Sequence, residues 1–433
     1  MEKQFSGWSR NKFVNCKFFE PKSLEELKSL SKNKIIPRGM GRSYGDSSLK
    51  KKSILSTKKI NKIIRLDLKR KIIEVEAGIS IEDLLKIIIP KNLFLPVTPG
   101  SKYISIGGMV ASDVHGKNHH KKGSFRHHII ELKIIDEKGK LHKCSKKNNK
   151  NLFNYSIGGM GLTGIIYSCK FKLISINSDK IFQEKIKTSN LKETIKKLRQ
   201  SDNWEYNVGW IDTSVDHSKL GRAIIFRGKH LTQTKKDNLK YKENSTFSLN
   251  TIFPSWFMNF LSIKVLNYLY YMLNFQNKSN VNINEYFYQL DKVKNWNLIY
   301  GKKGFISYQL VIPEKNSHVA IEKILKTLME NKCYSFVSVI KYLGFNDGFN
   351  SFGIKGFTLV FDFPLYRNID LILRKIDQIV IKYGGRIYLC KDSLTNASDF
   401  KKMNTGFENS DFKKIRKIKK RFFNSEQSNR LQI

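Results

Sequence analysis

Three glycine-rich segments crowd the first 165 residues, and they restrict what this chain can build more than any other feature. They are PRGMGRSYGD (37–46), PVTPGSKYISIGGMVASDVHG (96–116) and SIGGMGLTG (156–164). Glycine lets the main chain approach a phosphate closely and present its N–H groups. One such loop is weak evidence. Three, each beside a segment that reads as a strand, point to a large phosphate-bearing cofactor gripped mostly by backbone. The third contains Gly159-Met-Gly161-Leu-Thr-Gly164, a GxGxxG pattern. A Rossmann fingerprint must follow a strand and open a helix. Here the next residues, IIYSCKF, read as a strand, which excludes that fold. There is no Walker loop either.

Local patterns around the loops predict short alternating elements. Ser23-Leu-Glu-Glu26 and Ser80-Ile-Glu-Asp83 are capping sequences that open helices over 24–30 and about 81–89. Strands are predicted at 34–37, 72–77, 129–136, 141–144 and 165–174, with a hairpin about Lys138-Gly139. After about residue 178, helical patterns at 191–198, 317–329 and 368–383 alternate with strands at 223–227, 304–311, 335–340 and 357–363. The tail reads as a strand, RIYLCKD, followed later by a basic helical run, FKKIRKIKKRFF. A chain of 433 residues exceeds one ordinary core. The fold class is α+β.

The net charge of +42 admits three readings. Nucleic-acid phosphates would use it, as would anionic lipid headgroups or a phosphorylated substrate. A lysine-biased proteome would also produce it, since Lys, Ile and Asn are all abundant and the lysines are scattered. No recognition helix, zinc finger or aromatic RNA-binding pattern accompanies the charge, so no nucleic-acid partner is expected. Five widely spaced cysteines without a CxxC suit free thiols in a reducing compartment. The N-terminal residues hold no apolar core of signal-peptide length, so a cytoplasmic location is expected. Residues 251–275 are apolar and aromatic but are interrupted by Pro254, Ser255, Asn259, Lys264, Asn267 and Asn274. That suits an amphipathic helix covering a core or lying on a membrane, not a spanning segment.

The stretch ASDVHGKNHHKKGSFRHH (111–128) holds five of the nine histidines. A zinc or copper site needs compatible spacing and usually cysteine or carboxylate ligands. Gly116 and Gly123 argue for a loop, so no metal is expected. His127 and His128 are expected at the surface.

In order and spacing, the three glycine loops resemble the PCMH-type FAD-binding domain of the vanillyl-alcohol oxidase superfamily. The resemblance extends through HGKNHHKKGSF, NVGWID (207–212), GRAIIFRGKH (221–230), WNLIYGKKGFISYQLVIP (296–313), FDFP (361–364) and GGRIYLCKDS (384–393). Over nearly the whole chain it is similar to the decaprenylphosphoryl-β-D-ribose 2′-oxidase family, the flavin subunits of an epimerase.

That resemblance implies a two-subdomain FAD-binding domain at 1–178, an α+β substrate-binding cap domain at 179–385, and a segment at 386–433 returning to the first domain. It implies FAD contacts from Arg38, Gly39, Gly41, Arg42, Ser43 and Tyr44 in the first loop. From the second it implies Pro99, Gly100, Ser101, Gly107, Gly108, Ser112, His115, Gly116, Asn118 and His119. Gly164, Ile165 and Tyr388 complete the set. Lys117, Trp210, Gln309, Lys341 and Lys391 would line the substrate pocket, with Lys391, His115 and Lys117 as the catalytic group. The implied reaction oxidises the C2′ hydroxyl of a polyprenylphosphoryl-ribose to a ketone, the first half of epimerisation to an arabinose lipid for cell-envelope glycans. The base would be neutral Lys391 or a water near His115. A short-chain NAD(P)H-dependent reductase is the implied partner, with peripheral contact to the inner membrane. Relatives that oxidise lactones and polyols often tether FAD through a histidine in a GHS-type loop. Arg42 stands there in this chain, so FAD is expected to be non-covalent. In the family a cysteine attacked by covalent inhibitors stands at the position of Val360. Two other readings stay open: a soluble aldonolactone or alditol oxidase, and a non-catalytic flavoprotein serving a reductase as scaffold.

Overall fold

Two sheets organise the N-terminal half of the computed structural model, which describes residues 2–201, 203–232, 239–243, 246–348, 351–404 and 423–433. The first sheet runs in the order Glu2–Ser6, Phe13–Phe19, Ser53–Ser56, Ile36–Arg38, and its last two pairings are parallel. The second is antiparallel, in the order Ile63–Asp67, Ile72–Glu76, Ile165–Lys172, Ile129–Ile135, Leu141–Ser145. The predicted hairpin at 129–145 is therefore present. The strand Ile165–Lys172 follows the GxGxxG segment directly, in agreement with the exclusion of a Rossmann unit.

The helices at Leu24–Leu30 and Ile81–Ile88 begin where their capping sequences indicate; Ser23 and Ser80 accept the N3 amides. A further helix, Ile106–Ala111, lies inside the second glycine segment, capped by Ser105. Two adjacent glycines weaken the helical signal by about 1 kcal/mol each. Gly107 is needed for packing, since a Cβ there would meet the Ala77 Cβ at 2.8 Å. Ile73, Val75, Leu84, Ile106, Val110 and Phe171 are among the fully buried side chains that fix this helix against its sheet.

The second half is built on one eight-stranded antiparallel sheet. Its order is Asn277–Asn282, Lys180–Thr188, Ala223–His230, Tyr206–Ile211, Ser338–Leu343, Gly356–Pro364, Phe305–Pro313, Arg386–Ile387. Helices Leu191–Arg199, Ser317–Glu330 and Ile369–Lys382 cover one face, where Ile211, Tyr308, Leu310, Ile340, Leu359 and Phe361 are buried. Side chains alternate along a strand, so the neighbouring residues Trp210, Gln309, Lys341 and Val360 belong to the opposite face. The register aligns Trp210 with Val339, Val339 with Val360, and Val360 with Gln309. These four stand in one row across four strands.

Three expectations need correction. Of RIYLCKD only Arg386–Ile387 is strand; Leu389–Lys391 is a 3-10 turn, because the Lys391 amide donates back to the Tyr388 carbonyl at 3.0 Å. The turn brings the Cys390 carbonyl within 2.8 Å of the Tyr44 amide, stitching the tail to the first glycine loop. Residues His119–Lys122 form one helical turn instead of an open loop. The strand expected from 335 starts at Ser338. Within 251–275 the helix is Phe260–Leu273. No described helix is long and apolar enough to cross a membrane. The basic run FKKIRKIKKRFF lies outside the described residues except for its last Phe.

Candidate active site

All three glycine segments converge on one cleft. Arg38, Gly39, Gly41, Arg42 and Ser43 line it from the first, Ser105, Gly107, Gly108 and Ser112 from the second, and Gly161 and Gly164 from the third. Among the described residues, the amides of Gly39 through Ser43 donate to no carbonyl or side chain. The buried Ser47 hydroxyl in the cleft also lacks a partner. Main-chain polar groups buried without partners are costly, and a run of free amides is an anion-binding concavity. Arg38 adds a half-buried guanidinium, braced on the Ser48 hydroxyl at 3.1 Å and the Ser6 carbonyl at 2.8 Å. These donors fit the pyrophosphate of FAD.

The cleft opens into a second cavity of about 540 Å³. Arg42, Ile104, Val114 and Cys390 line both, so the two spaces are continuous. Tyr44, Pro99, Gly100, Ser101, His115, Gly116 and Lys117 come to the larger cavity from the N-terminal half. Trp210, Val339, Val360 and Gln309 come from the sheet row, Lys341 from two residues further along the strand of Val339, and Tyr388 and Lys391 from the returning tail. A Cβ on Gly100 would meet only open space, leaving its backbone exposed to a flat ligand.

Polar chemistry concentrates at one end of the cavity. The Gln309 amide donates to His115 Nε2 at 2.9 Å and to Thr358 Oγ1 at 3.0 Å. Burial, with Lys341 nearby, holds His115 well below the usual histidine range. It is therefore neutral, with its proton on Nδ1. Its ring stacks on Phe352 at 5.3 Å and meets Tyr388 edge-on at 5.1 Å. Burial and Lys341 bring Lys117 down to about 7, and its ammonium group donates to the Tyr286 carbonyl. Burial and Lys391 bring Lys341 down to about 7 as well. Lys391 Nζ lies 4.2 Å from the centroid of Tyr44. Four amines, Lys117, Lys294, Lys341 and Lys391, thus line the cavity, with no described carboxylate beyond Asp291. Burial raises Asp291 to about 6, against bonds from the Lys102 amide and the Ser101 hydroxyl.

Three of the residues expected at the cofactor line neither space. Asn118 faces away and donates to the Pro96 carbonyl at 2.8 Å, behind the cavity wall. His119 Nε2 bonds Asp347 at 2.7 Å. Ile165 packs in the core with Leu27, Ile35 and Ile135, while its neighbours Gly164 and Ile166 line the cleft. His127, expected as a free surface group, is exposed but bonds the other Asp347 oxygen at 2.8 Å. The histidine cluster is thus mostly a clamp between two segments. Asp347 also accepts the Ser124 amide, and Ser351 bonds both Asp113 and Arg126. Among the described residues, no three His, Cys, Asp or Glu side chains come together as metal ligands would.

Sequence reasoning missed Asp291, Tyr103, Thr98 and Cys390 in the cavity wall. PVTPGSKY flags Thr98 and Tyr103 by position, but no local pattern brings Asp291 across 190 residues to Ser101. Cys390 is the one cysteine that is not fully buried. Burial pushes its thiol up to about 11.

Residues 18–145 match the protein family described as FAD binding domain. Decaprenylphosphoryl-β-D-ribose oxidase of Mycolicibacterium smegmatis is 32% identical over 386 residues, which cover 85% of this chain and 83% of that protein. L-gulonolactone oxidase of Scyliorhinus torazame is 23% identical over 352 residues, 76% of this chain and 73% of that one. Among solved structures, xylooligosaccharide oxidase from Myceliophthora thermophila C1 superposes with a TM-score of 0.66 at 13% identity, covering 94% of this chain and 90% of the other. That last likeness concerns the fold alone.

Proposed function

Because this chain belongs to the decaprenylphosphoryl-β-D-ribose oxidase family and is an FAD-dependent oxidoreductase acting on CH–OH groups, we propose that it oxidises the C2′ hydroxyl of a polyprenylphosphoryl-β-D-ribose to the ketone. The observation that carries this reading is the group Lys117, Lys341 and Lys391 beside neutral His115, in a cavity continuous with the glycine cleft. A neutral lactone gives three half-buried amines nothing to neutralise; a phosphodiester does.

Bound FAD supplies the two-electron oxidising capacity. Arg38 and the free amides of the first loop hold its pyrophosphate. Arg42 occupies the position where tethering relatives carry histidine, and its guanidinium lies 3.9 Å from the Trp8 ring, which supports non-covalent binding. Lys117 and Lys341 neutralise the substrate phosphate. Trp210, held by its indole N–H on the Phe336 carbonyl at 2.9 Å, walls the sugar. His115 commits its Nε2 lone pair to Gln309 and so positions the sugar hydroxyl. Lys391 hydrogen-bonds the sugar hydroxyl, whose proton passes to a water near His115.

The ketone product requires a second enzyme to complete an epimerisation. A short-chain NAD(P)H-dependent reductase that delivers hydride to the other face fits, and with it a cytoplasmic site for the pair.

The test is anaerobic mixing of the flavin-loaded protein with a polyprenylphosphoryl-β-D-ribose while the flavin absorbance is followed. Bleaching is expected, and Lys391→Ala should slow it at unchanged flavin content. Bleaching by an aldonolactone but not by the phospho-sugar would transfer the protein to lactone oxidation. No bleaching by either would favour a scaffold.

A further inference from the structure

The helix Phe260–Leu273 has two unlike faces. Ile263 and Asn267 are fully buried, and Tyr270 turns inward, 4.8 Å from Trp210, as part of the cavity wall. Leu261, Val265, Tyr268, Leu269, Met272 and Leu273 are exposed. Their spacing of i, i+4, i+7, i+8, i+11 and i+12 sets them in one stripe. Trp256 at 73% exposure and Phe275 at 70% extend it beyond both ends. A contiguous apolar surface of this extent marks an interaction site.

The charge around the stripe says what covers it. From residue 244 to 284 the sequence contains no Asp or Glu. Cations border the helix: Lys187 Nζ lies 4.5 Å from the Tyr271 ring, Arg222 4.3 Å from the same ring, and Lys332 5.7 Å from Phe260. Lys264 is exposed on the helix itself. The neighbouring Asp212 is buried and held by Arg222 at 2.8 Å, so it does not offset them. Apolar and aromatic side chains rimmed by amines match the interface of a bilayer containing anionic lipid.

We propose that this face docks the protein on an anionic membrane surface, with Phe260–Leu273 lying in the interface plane. The helix then has the bilayer on one side and the cavity on the other, through Tyr270. A lipid-borne substrate can pass its sugar phosphate around the helix to Lys117 and Lys341 while its chain stays in the membrane. The route, though not the docking, rests on the polyprenyl-phosphate reading given above.

Flotation of the flavin-loaded full chain tests the docking. The probes are vesicles of phosphatidylcholine alone and of phosphatidylcholine with about 30% phosphatidylglycerol. The wild type should float with the anionic vesicles, and high salt should weaken this. The double variant Leu261→Asp, Leu273→Asp changes residues 61% and 68% exposed. It should keep its flavin and melting temperature and lose about tenfold or more of the vesicle-bound fraction. Wild type that stays unbound with both vesicles, or a variant that floats equally well, overturns the proposal. So does a self-association that the variant abolishes in the absence of vesicle binding, since the face then covers a second copy. Turnover of a short-chain, water-soluble polyprenylphosphoryl-ribose separates the two readings. The docking variant should retain it, whereas wild type inactive on that substrate refutes the substrate reading whatever the flotation shows.

Discussion

The side-chain amide of Gln309 lies 2.9 Å from His115 Nε2, and an amide nitrogen can only donate. One contact between the two halves of the molecule thus fixes the tautomer of the histidine nearest the chemistry. Gln309→Leu removes the donor and keeps the volume similar. An unsatisfied buried ring nitrogen costs about 1–3 kcal/mol, or roughly 5- to 150-fold in kcat/KM. The expected result is that loss at normal flavin content, with a changed His115 nitrogen signature in NMR. Unaltered kinetics would remove the pair from the mechanism.

Lys117 and Lys341 are both brought down to about 7 by burial and by neighbouring amines. Each is cationic below that pH and loses its proton above it, so attraction for a phosphodiester weakens as pH rises through about 7. KM should therefore rise on the alkaline side. Lys341→Met removes the charge that depresses Lys117. The variant should bind substrate more weakly at pH 6, with the midpoint of its alkaline limb moved upward. A midpoint that stays put would show that the two amines are not coupled.

Acid precipitation should leave a colourless pellet and a yellow supernatant, since Arg42 cannot form the bond that a histidine forms at this place. A yellow pellet would point to a tether elsewhere in the cavity.

The first loop tolerates little change. Gly41 has φ +66°, and a Cβ there would sit 2.4 Å from Arg38 Nη2. Gly41→Ala should displace Arg38 and lower flavin affinity about tenfold, from roughly 1–2 kcal/mol of strain. Fluorescence titration of stripped protein with FAD measures it.

Acid stability should report the clamp at Asp347. Burial pushes this carboxyl up, but the ring bonds of His119 and His127 outweigh it and hold it far below the usual range. A depressed carboxyl contributes stability above its unfolded value of about 3.9 and loses it as pH falls below that. His115 acts at higher pH. The folded state resists its protonation, so stability drops once the unfolded histidine, at about 6.5, takes up a proton. Tm should fall in two stages below neutrality. Asp347→Asn should lower Tm at pH 7, by about 1–3 kcal/mol of stability, and flatten the lower stage.

Much of this was legible in the residues. Glycines marked the cleft because close approach to phosphate needs them, and capping serines marked two helix starts because an N-cap must accept an amide. Short apolar, β-branched and aromatic runs at 304–311 and 357–363 placed the strands that carry Gln309 and Val360. What local patterns could not give was convergence. Asp291 meets Ser101, and Asp347 meets His119, across 190 and 228 residues of chain. The family resemblance set His119 beside the cofactor because a matching motif does not distinguish a clamp from a contact. RIYLCKD looked like a strand because the apolar run Ile387–Cys390 conceals the turn at Leu389–Lys391.

The turn that carries Cys390 back to Tyr44 also sets an order of events during synthesis. The first glycine loop emerges from the ribosome early, yet the Tyr44 amide stays unmatched until Cys390, 346 residues later, has followed. A chain truncated before residue 390 should therefore take up flavin poorly, because the Tyr44 amide lacks its acceptor.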